Sequence, residues 1–307
     1  MANQVVGVLL MAYGAAGSLE EVAPYLADIR AGRPPSPELV EEVKRRYQLM
    51  GGHSPLLDIT KQQAVALQAC LNKEGGSFKV YIGMRHWHPY IQDTVAAMAE
   101  DGIRKIVGLC LTPYYSRMSV GAYFKKLEDA QTAMNTSFEV IQVKSWNDHP
   151  LLIEAISQKV QKALEEFHGS VRKDVAILFS AHSLPSRILE EQDPYPQELN
   201  ETIQAVMKQV GPYHWWFAYQ SQGRTPEPWL GPDAGEMIKK LHQEGYRRLL
   251  MAPIGFISDH METLYDVDIM YRKQAESLGM QLQRVESLNT TPSFIEAMAD
   301  VVRAHLS

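Results

Sequence analysis

One histidine and a group of carboxylates follow two of the apolar runs in this chain. Residues 175–179 are apolar throughout, and His182 comes shortly after them. A second apolar run ends at 253–256, and an acidic segment begins at Asp259. In an open parallel sheet, ligands bind at the carboxyl ends of the strands. Because neutral imidazole is both a metal ligand and a proton acceptor, the sequence predicts a chemical site at this edge of a sheet.

The sequence alone leaves two roles open for His182. The imidazole could bond its own loop, where Ser180 and Ser183 are polar partners that would orient the ring. It could equally bind a ligand beyond the end of the strand, with the same two serines holding it in place.

The acidic segment also admits a structural and a chemical interpretation. Asp259 predicts a helix cap, so that Glu262 and Asp266 fall one turn apart on one face. Glu262 could reach back to the helix start and complete that cap. This role leaves Asp266 and Asp268 unexplained, because neighbouring carboxylates repel one another unless a cation or a proton relay lies among them.

Short apolar runs alternate with amphipathic stretches along the chain, which is typical of parallel sheets covered by helices. The predicted strands are 5–12, 78–82, 106–111, 139–143, 175–179, 215–219, 248–252 and 281–285, and the predicted helices include 91–100 and 234–244. The motif EDGIRKI at 100–106 is echoed by QEGYRRL at 243–249. We therefore expect an α/β fold of two similar Rossmann-like domains, 1–149 and 150–307. Each would be a parallel four-stranded sheet flanked by helices, with the active-site cleft between the two.

Composition excludes several classes of protein. The 307 residues are 45% hydrophobic and 21% charged, and the formal net charge of −6 gives no indication of a nucleic-acid partner. Two cysteines can build neither a disulfide framework nor a cysteine-ligated cluster. No apolar run reaches the roughly 18–20 residues that span a bilayer, and no basic region precedes the first run as in a secretory signal. We expect a cytoplasmic protein without a transmembrane segment.

Common cofactor and nucleophile motifs are missing, but the chain carries features that suit a flat acidic ligand. No Gly-x-Gly-x-x-Gly follows the first strand, and no Gly-x-Ser-x-Gly occurs. Aromatic residues cluster near the predicted strand ends, as for a large apolar ligand. Arg30, Arg33, Arg45 and Arg46 could bind carboxylates or form a solvated basic face.

Several motifs together resemble the ferrochelatase family, and specifically its bacterial coproporphyrin type. They are LMAYG at 10–14, DIRAGRP at 28–34, RY at 46–47, GGHSPL at 51–56, YIGMRH at 81–86, FSAHSLP at 179–185, DPYP at 193–196, QSQG at 220–223, EPWLGP at 227–232 and PIGFISDHMETLYD at 253–266. The resemblance spans nearly the whole chain. It implies a type II chelatase-like fold and insertion of Fe²⁺ into coproporphyrin III, which forms coproheme and releases two protons.

The resemblance also implies roles for individual residues. His182 and Glu262 match the pair that faces the centre of the macrocycle, where they would bind iron, accept the protons or do both. Asp266 matches a proton-relay or metal-delivery position. Tyr13 matches a tyrosine on the opposite face of the porphyrin. The residues that match propionate-binding positions are Arg30, Arg46, Ser54 and Tyr123.

The implied partners follow from this reaction. Ferrous iron and the porphyrin are substrates, no prosthetic group or iron–sulfur cluster is expected, and a monomer would make transient contact with the coproheme decarboxylase that acts next. The acidic row of the helix is interrupted at 269–271, so an outer metal site is not expected there. Two alternatives stay open, a protoporphyrin ferrochelatase and a non-catalytic tetrapyrrole carrier. The presence of both His182 and Glu262 argues against the carrier, which needs no proton acceptor.

Overall fold

The computed structural model describes residues 5–73, 75–167 and 174–306. Within these ranges the chain forms eight strands, each at a predicted position: β1 (Val6–Ala12), β2 (Phe78–Met84), β3 (Lys105–Cys110), β4 (Glu139–Val143), β5 (Val175–His182), β6 (Trp215–Gln220), β7 (Arg248–Ala252) and β8 (Gln281–Arg284). The helices are α1 (Val22–Ile29), α2 (Pro37–Leu49), α3 (Leu56–Asn72), α4 (Ile91–Glu100), α5 (Val120–Ala133), α6 (Pro150–Glu165), α7 (Tyr195–Val210), α8 (Ala234–Gln243), α9 (Met261–Leu264), α10 (Arg272–Ser277) and α11 (Pro292–Ala304). A 3₁₀ turn lies at Ser186–Leu189, and a π-helical turn at Asp266–Tyr271 separates α9 from α10.

The strands form two all-parallel sheets with the same strand order. The first sheet runs β2-β1-β3-β4 and the second β6-β5-β7-β8, so each half places its first strand second in the sheet. Long connections that contain helices join the parallel strands, as parallel pairing requires. The prediction of two similar four-stranded parallel sheets flanked by helices is confirmed.

The central strands are apolar because helices cover both of their faces. Val8 to Met11 in β1 and Ala176 to Phe179 in β5 have no exposed surface. Continuous apolar runs are typical of such doubly covered strands. His182 is the last residue of β5, paired with Gln220 of β6, so the polar site begins where this burial ends.

The amphipathic pattern of the helices fixes which face packs on a sheet. In α8, Met237, Ile238 and Leu241 are buried, while the side chain of Asp233 accepts a hydrogen bond from the Glu236 amide and caps the helix start. None of the helices in the described ranges is long and apolar enough to cross a membrane.

The contacts between residues divide the chain differently from the expected domains. The described residues up to Trp146 form one compact unit together with those from Asn289 onward, and Asn147–Leu288 form the other. The last helix, α11, packs against α3, and Phe294 at its start stacks on Trp146 at 5.9 Å between ring centroids. The expected second domain, 150–307, therefore includes a C-terminal part that the observed second unit does not contain. This part differs because the apolar face of α11 is buried in the first unit.

Close packing behind His182 predicts what a methyl group added at Gly255 would do. The Gly255 amide donates a hydrogen bond to the Ser180 carbonyl at 3.1 Å, and a Cβ on Gly255 would lie 2.6 Å from Cβ of Ala181. We expect Gly255→Ala to lower the free energy of unfolding by about 1–3 kcal/mol, because two backbone segments must separate. Urea denaturation followed by circular dichroism measures this loss.

Gly121→Ala is the matched control for that substitution. Gly121 lies in the first turn of α5, and its Cβ would meet no atom nearer than 3.4 Å. This variant should be neutral or gain up to about 0.5–1 kcal/mol, since alanine favours helix. Equal stability of the two variants would contradict the close-packing argument.

Candidate active site

The ring of His182 is oriented by a backbone carbonyl. Its Nδ1 hydrogen-bonds the carbonyl oxygen of Ser183. The neighbouring hydroxyls are engaged elsewhere: Ser180 Oγ donates to Gln220 Oε1 at 2.7 Å, and Ser183 Oγ donates to the Leu230 carbonyl at 2.9 Å. Of the two serines expected to orient the ring, Ser183 therefore does so through its backbone carbonyl, whereas Ser180 bonds Gln220. Both hydroxyls instead secure the loop that follows β5.

This hydrogen bond determines which ring nitrogen faces the site. A carbonyl oxygen only accepts, so Nδ1 must carry a proton. Nε2 then points toward Glu262, whose Oε1 lies 3.5 Å away, and the two side chains are 34% and 25% exposed. When the imidazole is neutral, Nε2 of His182 and Oε1 of Glu262 are both acceptors and face each other. A shared proton or a cation stabilises this arrangement.

Helix α9 leaves the Glu262 carboxylate out of its cap. The N-cap is His260, and the His260 amide donates to Thr263 Oγ1 at 3.0 Å. The prediction that Asp259 caps the helix, with Glu262 reaching back, is therefore wrong by one residue. Thr263 has the position and the short polar side chain that the cap requires. Glu262 instead faces imidazoles.

His260 is a member of the site that the sequence analysis missed. Its Nδ1 hydrogen-bonds the Ser258 carbonyl at 2.9 Å, and its Nε2 lies 3.6 Å from Glu262 Oε2. Each oxygen of the carboxylate therefore faces a different imidazole. The only signal in the sequence was its place directly before the acidic helix, because the extended backbone of the cap residue (φ −162°), which directs its side chain away from the helical pattern, is seen only in the structure.

Charge and burial compete in this group. Burial disfavours the imidazolium, but the Glu262 carboxylate outweighs burial and raises the pKa of His182 above its ordinary value. Burial alone would raise the pKa of Glu262, yet His182 and His260 hold it well below its ordinary range. Both shifts favour the imidazolium–carboxylate pair over two neutral groups. Across the described parts of the chain, no three His, Cys, Asp or Glu side chains lie close enough together to hold a metal ion by themselves.

The carboxylates that follow Glu262 have two different environments. Asp266 is buried, and Ser221 Oγ donates to its Oδ2 at 2.5 Å. Asp268 pairs with Arg284 Nη2 at 2.9 Å and with Arg272 Nη2 at 3.2 Å. The cation that the sequence analysis required among these acids is thus supplied, at Asp268, by guanidinium groups of the chain itself.

A π-helical turn carries Asp266 and Asp268. The Met270 amide donates to the Tyr265 carbonyl at 2.9 Å, five residues back, so the helix is wider than an α-helix here. Such turns are uncommon and often occur at functional sites. The widened turn follows Glu262 directly.

In the first unit, two of the predicted porphyrin residues lie on either side of Arg85. The guanidinium carbon is 6.0 Å from the ring centroid of Tyr13 and 5.6 Å from that of Tyr123. Tyr13 is 41% exposed at the end of β1. Its ring also contacts that of His86, whose Nδ1 is 2.7 Å from Asp28 Oδ2. Arg85 was not among the predicted site residues, although it lies in the YIGMRH motif.

The other predicted porphyrin residues lie on separate elements of the first unit. Arg30 is exposed just after α1. Arg46 is half-buried in the last turn of α2, where its Nη2 lies 2.5 Å from Glu42 Oε1. Ser54 is buried, and its Oγ accepts a hydrogen bond from the Leu56 amide at 3.3 Å.

The charge balance at His182 gives a direct prediction. Glu262→Gln removes the carboxylate but keeps the shape and burial of the side chain. The pKa of His182 should therefore fall, because desolvation still disfavours the imidazolium, while only the Ser183 carbonyl and Asp266 are left to favour it. Long-range ¹H–¹⁵N NMR of the imidazole across a pH series measures the shift.

Glu286→Gln is the control for that titration. Glu286 lies in the same unit and pairs with Lys159 at 2.8 Å, and it is not among the groups that shift the pKa of His182. It should leave the His182 titration unchanged. An unaltered pKa in Glu262→Gln would show that another group sets the charge of His182.

Comparison with known proteins identifies the family of this chain and its fold. The ferrochelatase family model matches residues 5–306. A ferrochelatase of Herpetosiphon aurantiacus is 43% identical, covering 96% of this chain and 97% of its own. A coproporphyrin III ferrochelatase of Geobacillus sp. strain WCH70 is 39% identical, covering 98% of both chains. The sirohydrochlorin chelatase SirB of Bacillus subtilis subspecies spizizenii shares the fold, with a TM-score of 0.60 at 9% identity over 98% of this chain and 95% of its own.

The whole-chain match carries the assignment, and the described geometry provides a histidine–carboxylate group of the kind that metal insertion needs. This chain belongs to the ferrochelatase family, the enzymes that insert a metal ion into a porphyrin.

Proposed function

We propose that this enzyme inserts Fe²⁺ into coproporphyrin III, forms coproheme and releases two protons. The observation that carries the proposal is the Glu262 carboxylate, whose two oxygens face His182 and His260. Relatives named coproporphyrin III ferrochelatase, with 37–39% identity over nearly the whole chain, support the choice of porphyrin. Other relatives carry the broader name ferrochelatase.

The imidazole–carboxylate group suits both halves of the reaction. As Fe²⁺ approaches, it favours neutral imidazole and ionised carboxylate, so His182 releases its Nε2 proton to solvent water and presents Nε2 as a ligand beside Glu262. Two ligands from the chain leave other positions of the ion to water, which can be shed as the pyrrole nitrogens bind. Iron is a substrate here and keeps its oxidation state, so the proposed reaction needs no prosthetic group.

The same residues then accept the protons that the metal displaces. As Fe²⁺ passes from His182 and Glu262 to the pyrrole nitrogens, those nitrogens lose their two protons, and the freed imidazole and carboxylate can accept them. A proton on Glu262 can pass to His260 through Oε2, because that imidazole lies 3.6 Å away. Asp266 is the next carboxylate along the helix and is buried with the Ser221 hydroxyl, a suitable second acceptor in a relay.

Binding energy from the edge of the porphyrin is proposed to distort the ring. A planar macrocycle hides its nitrogen lone pairs, whereas a distorted one exposes them. Propionates can supply that energy through charge-assisted hydrogen bonds to Arg30 and Arg46 and through hydroxyl groups of Ser54 and Tyr123. Arg85 adds a further guanidinium between Tyr13 and Tyr123. Coproporphyrin has four propionates and protoporphyrin two, so this donor set favours the former.

The deciding experiment compares two porphyrins. Anaerobic Fe²⁺ insertion is followed by visible absorbance with coproporphyrin III and protoporphyrin IX in parallel. We expect faster turnover of coproporphyrin III. His182→Ala should reduce kcat by a factor of about 100 or more, because it removes a ligand and a proton acceptor together.

Each alternative outcome has a definite meaning. Preference for protoporphyrin would reassign the substrate within the family. Porphyrin binding without insertion of Fe²⁺ would contradict the proposed reaction and favour a carrier.

A second prediction separates propionate binding from chemistry. Arg46→Ala should raise KM for coproporphyrin III about tenfold, since a charge-assisted hydrogen bond is worth roughly 1.5–3 kcal/mol. The kcat should change little, because the interaction is present in both ground and transition states. Steady-state kinetics measure both constants.

Arg45→Ala is the matched control, because Arg45 is the adjacent arginine of α2 and is exposed. Its kinetics should resemble those of the wild type. Equal effects of the two variants would indicate a general loss of positive charge and would contradict a specific contact at Arg46.

A further inference from the structure

Arg284 connects two carboxylates that are distant from it in sequence. It ends β8, at an edge of the second sheet, and its side chain is 11% exposed. Its Nη1 lies 3.0 Å from Asp259 Oδ1, and Ser287 Oγ donates to that same oxygen at 2.8 Å. On the other side, Nε lies 3.0 Å from both oxygens of Asp268, and Nη2 lies 2.9 Å from Oδ2. One buried guanidinium therefore holds both acids.

These two acids flank the reactive part of the second unit. Asp259 comes immediately before the cap of α9, and Asp268 lies within the π-helical turn. Glu262 and Asp266 lie between them in sequence. The guanidinium thus fixes both ends of the segment that carries the proposed proton acceptors.

This segment needs support from outside itself. Helix α9 has four residues and the π-helical turn has six. Helices this short are marginal in isolation, because the cost of nucleation is not recovered over so few hydrogen bonds. Only tertiary contacts can hold the Glu262 carboxylate at one distance from His182. The forked guanidinium is suited to this task, because it bonds two carboxylates in fixed directions at once.

We propose that Arg284 is a positioning residue for metal insertion, which sets the place of Glu262 by joining Asp259 to Asp268. This proposal rests on the proposed function, because it treats Glu262 as a reacting group. Arg284 acts on the reaction only through that segment. Its loss should therefore slow the chemical step and leave porphyrin binding nearly unchanged.

The test uses the full-length enzyme and the variant Arg284→Lys. Lysine keeps the positive charge, but its compact ammonium cannot bond both acids in the fixed geometry of a guanidinium. We expect kcat for Fe²⁺ insertion to fall about tenfold or more, as misplacement of a reacting group does. KM for the porphyrin should stay within about twofold of the wild type. Hydrogen–deuterium exchange should become faster in peptides from α9 and the π-helical turn.

Two further variants separate positioning from charge and from folding. Arg272→Lys is the matched control, because Arg272 bonds Asp268 from one turn along the same helix. It should leave kcat and exchange close to those of the wild type. A triple variant, Arg284→Met with Asp259→Asn and Asp268→Asn, removes the guanidinium without leaving unpaired buried charges. It should fold and remain slow, because nothing joins the two ends of the segment.

The outcomes distinguish this proposal from the proposed function. Wild-type exchange in Arg284→Lys, or recovery of kcat in the triple variant, would overturn the positioning role. Faster exchange with unchanged kcat would also overturn it, since the segment would then move without consequence for the reaction. A wild-type enzyme that inserts no Fe²⁺ would overturn the proposed function instead, and the exchange data would still decide whether Arg284 holds the segment.

Discussion

The Glu262 carboxylate lies between two imidazoles, and the rest of the second unit is arranged so that it can stay there. Each imidazole is bonded through Nδ1 to a backbone carbonyl, which leaves both Nε2 atoms directed at the carboxylate oxygens. His182 is positioned by the end of β5, a strand that is buried up to Ala181. His260 is positioned by the start of α9. Because the two carbonyls belong to loops after parallel strands, the site depends on the backbone of those loops more than on neighbouring side chains.

The loops themselves are fixed by short contacts at the ends of the strands. The Gly255 amide bonds Ser180, and the absence of a side chain there lets the loop after β7 pass close to Ala181. Gln220, at the end of β6, accepts from Ser180 and donates to the Glu262 carbonyl at 2.9 Å. Three neighbouring strands thus meet at the start of α9. These contacts place the His182 imidazole and the Glu262 carboxylate a few ångströms apart.

The sequence predicted those parts of the molecule that depend on local pattern. All eight strands and the two named helices were found, because buried parallel strands are apolar without interruption and the helices are amphipathic. What it missed depends on contacts between distant residues. The apolar face of α11 does not indicate which of the two cores buries it. In the structure, α11 packs on α3 in the first unit. Arg272 lies one helical turn from Asp268, but the second partner of Asp268, Arg284, comes from β8 and could not be inferred from the local pattern. His260 was missed for a local reason, because a helical pattern was applied to a residue that caps the helix.

The acids of this segment fall into two classes according to the cation that faces them. Asp259 and Asp268 face guanidinium groups, which do not lose a proton at any ordinary pH, so these pairs serve only to hold structure. Glu262 faces two imidazoles, a group that can exist in a neutral and a protonated form. Insertion of Fe²⁺ into the porphyrin exchanges one dication at the site for two protons. Guanidinium partners could not take part in that exchange, because they do not lose a proton at ordinary pH. Imidazole partners can release a proton as the metal arrives and take one back as it leaves. In the proposed mechanism, the difference between arginine and histidine as partners thus separates the acids that support the site from the acid that reacts.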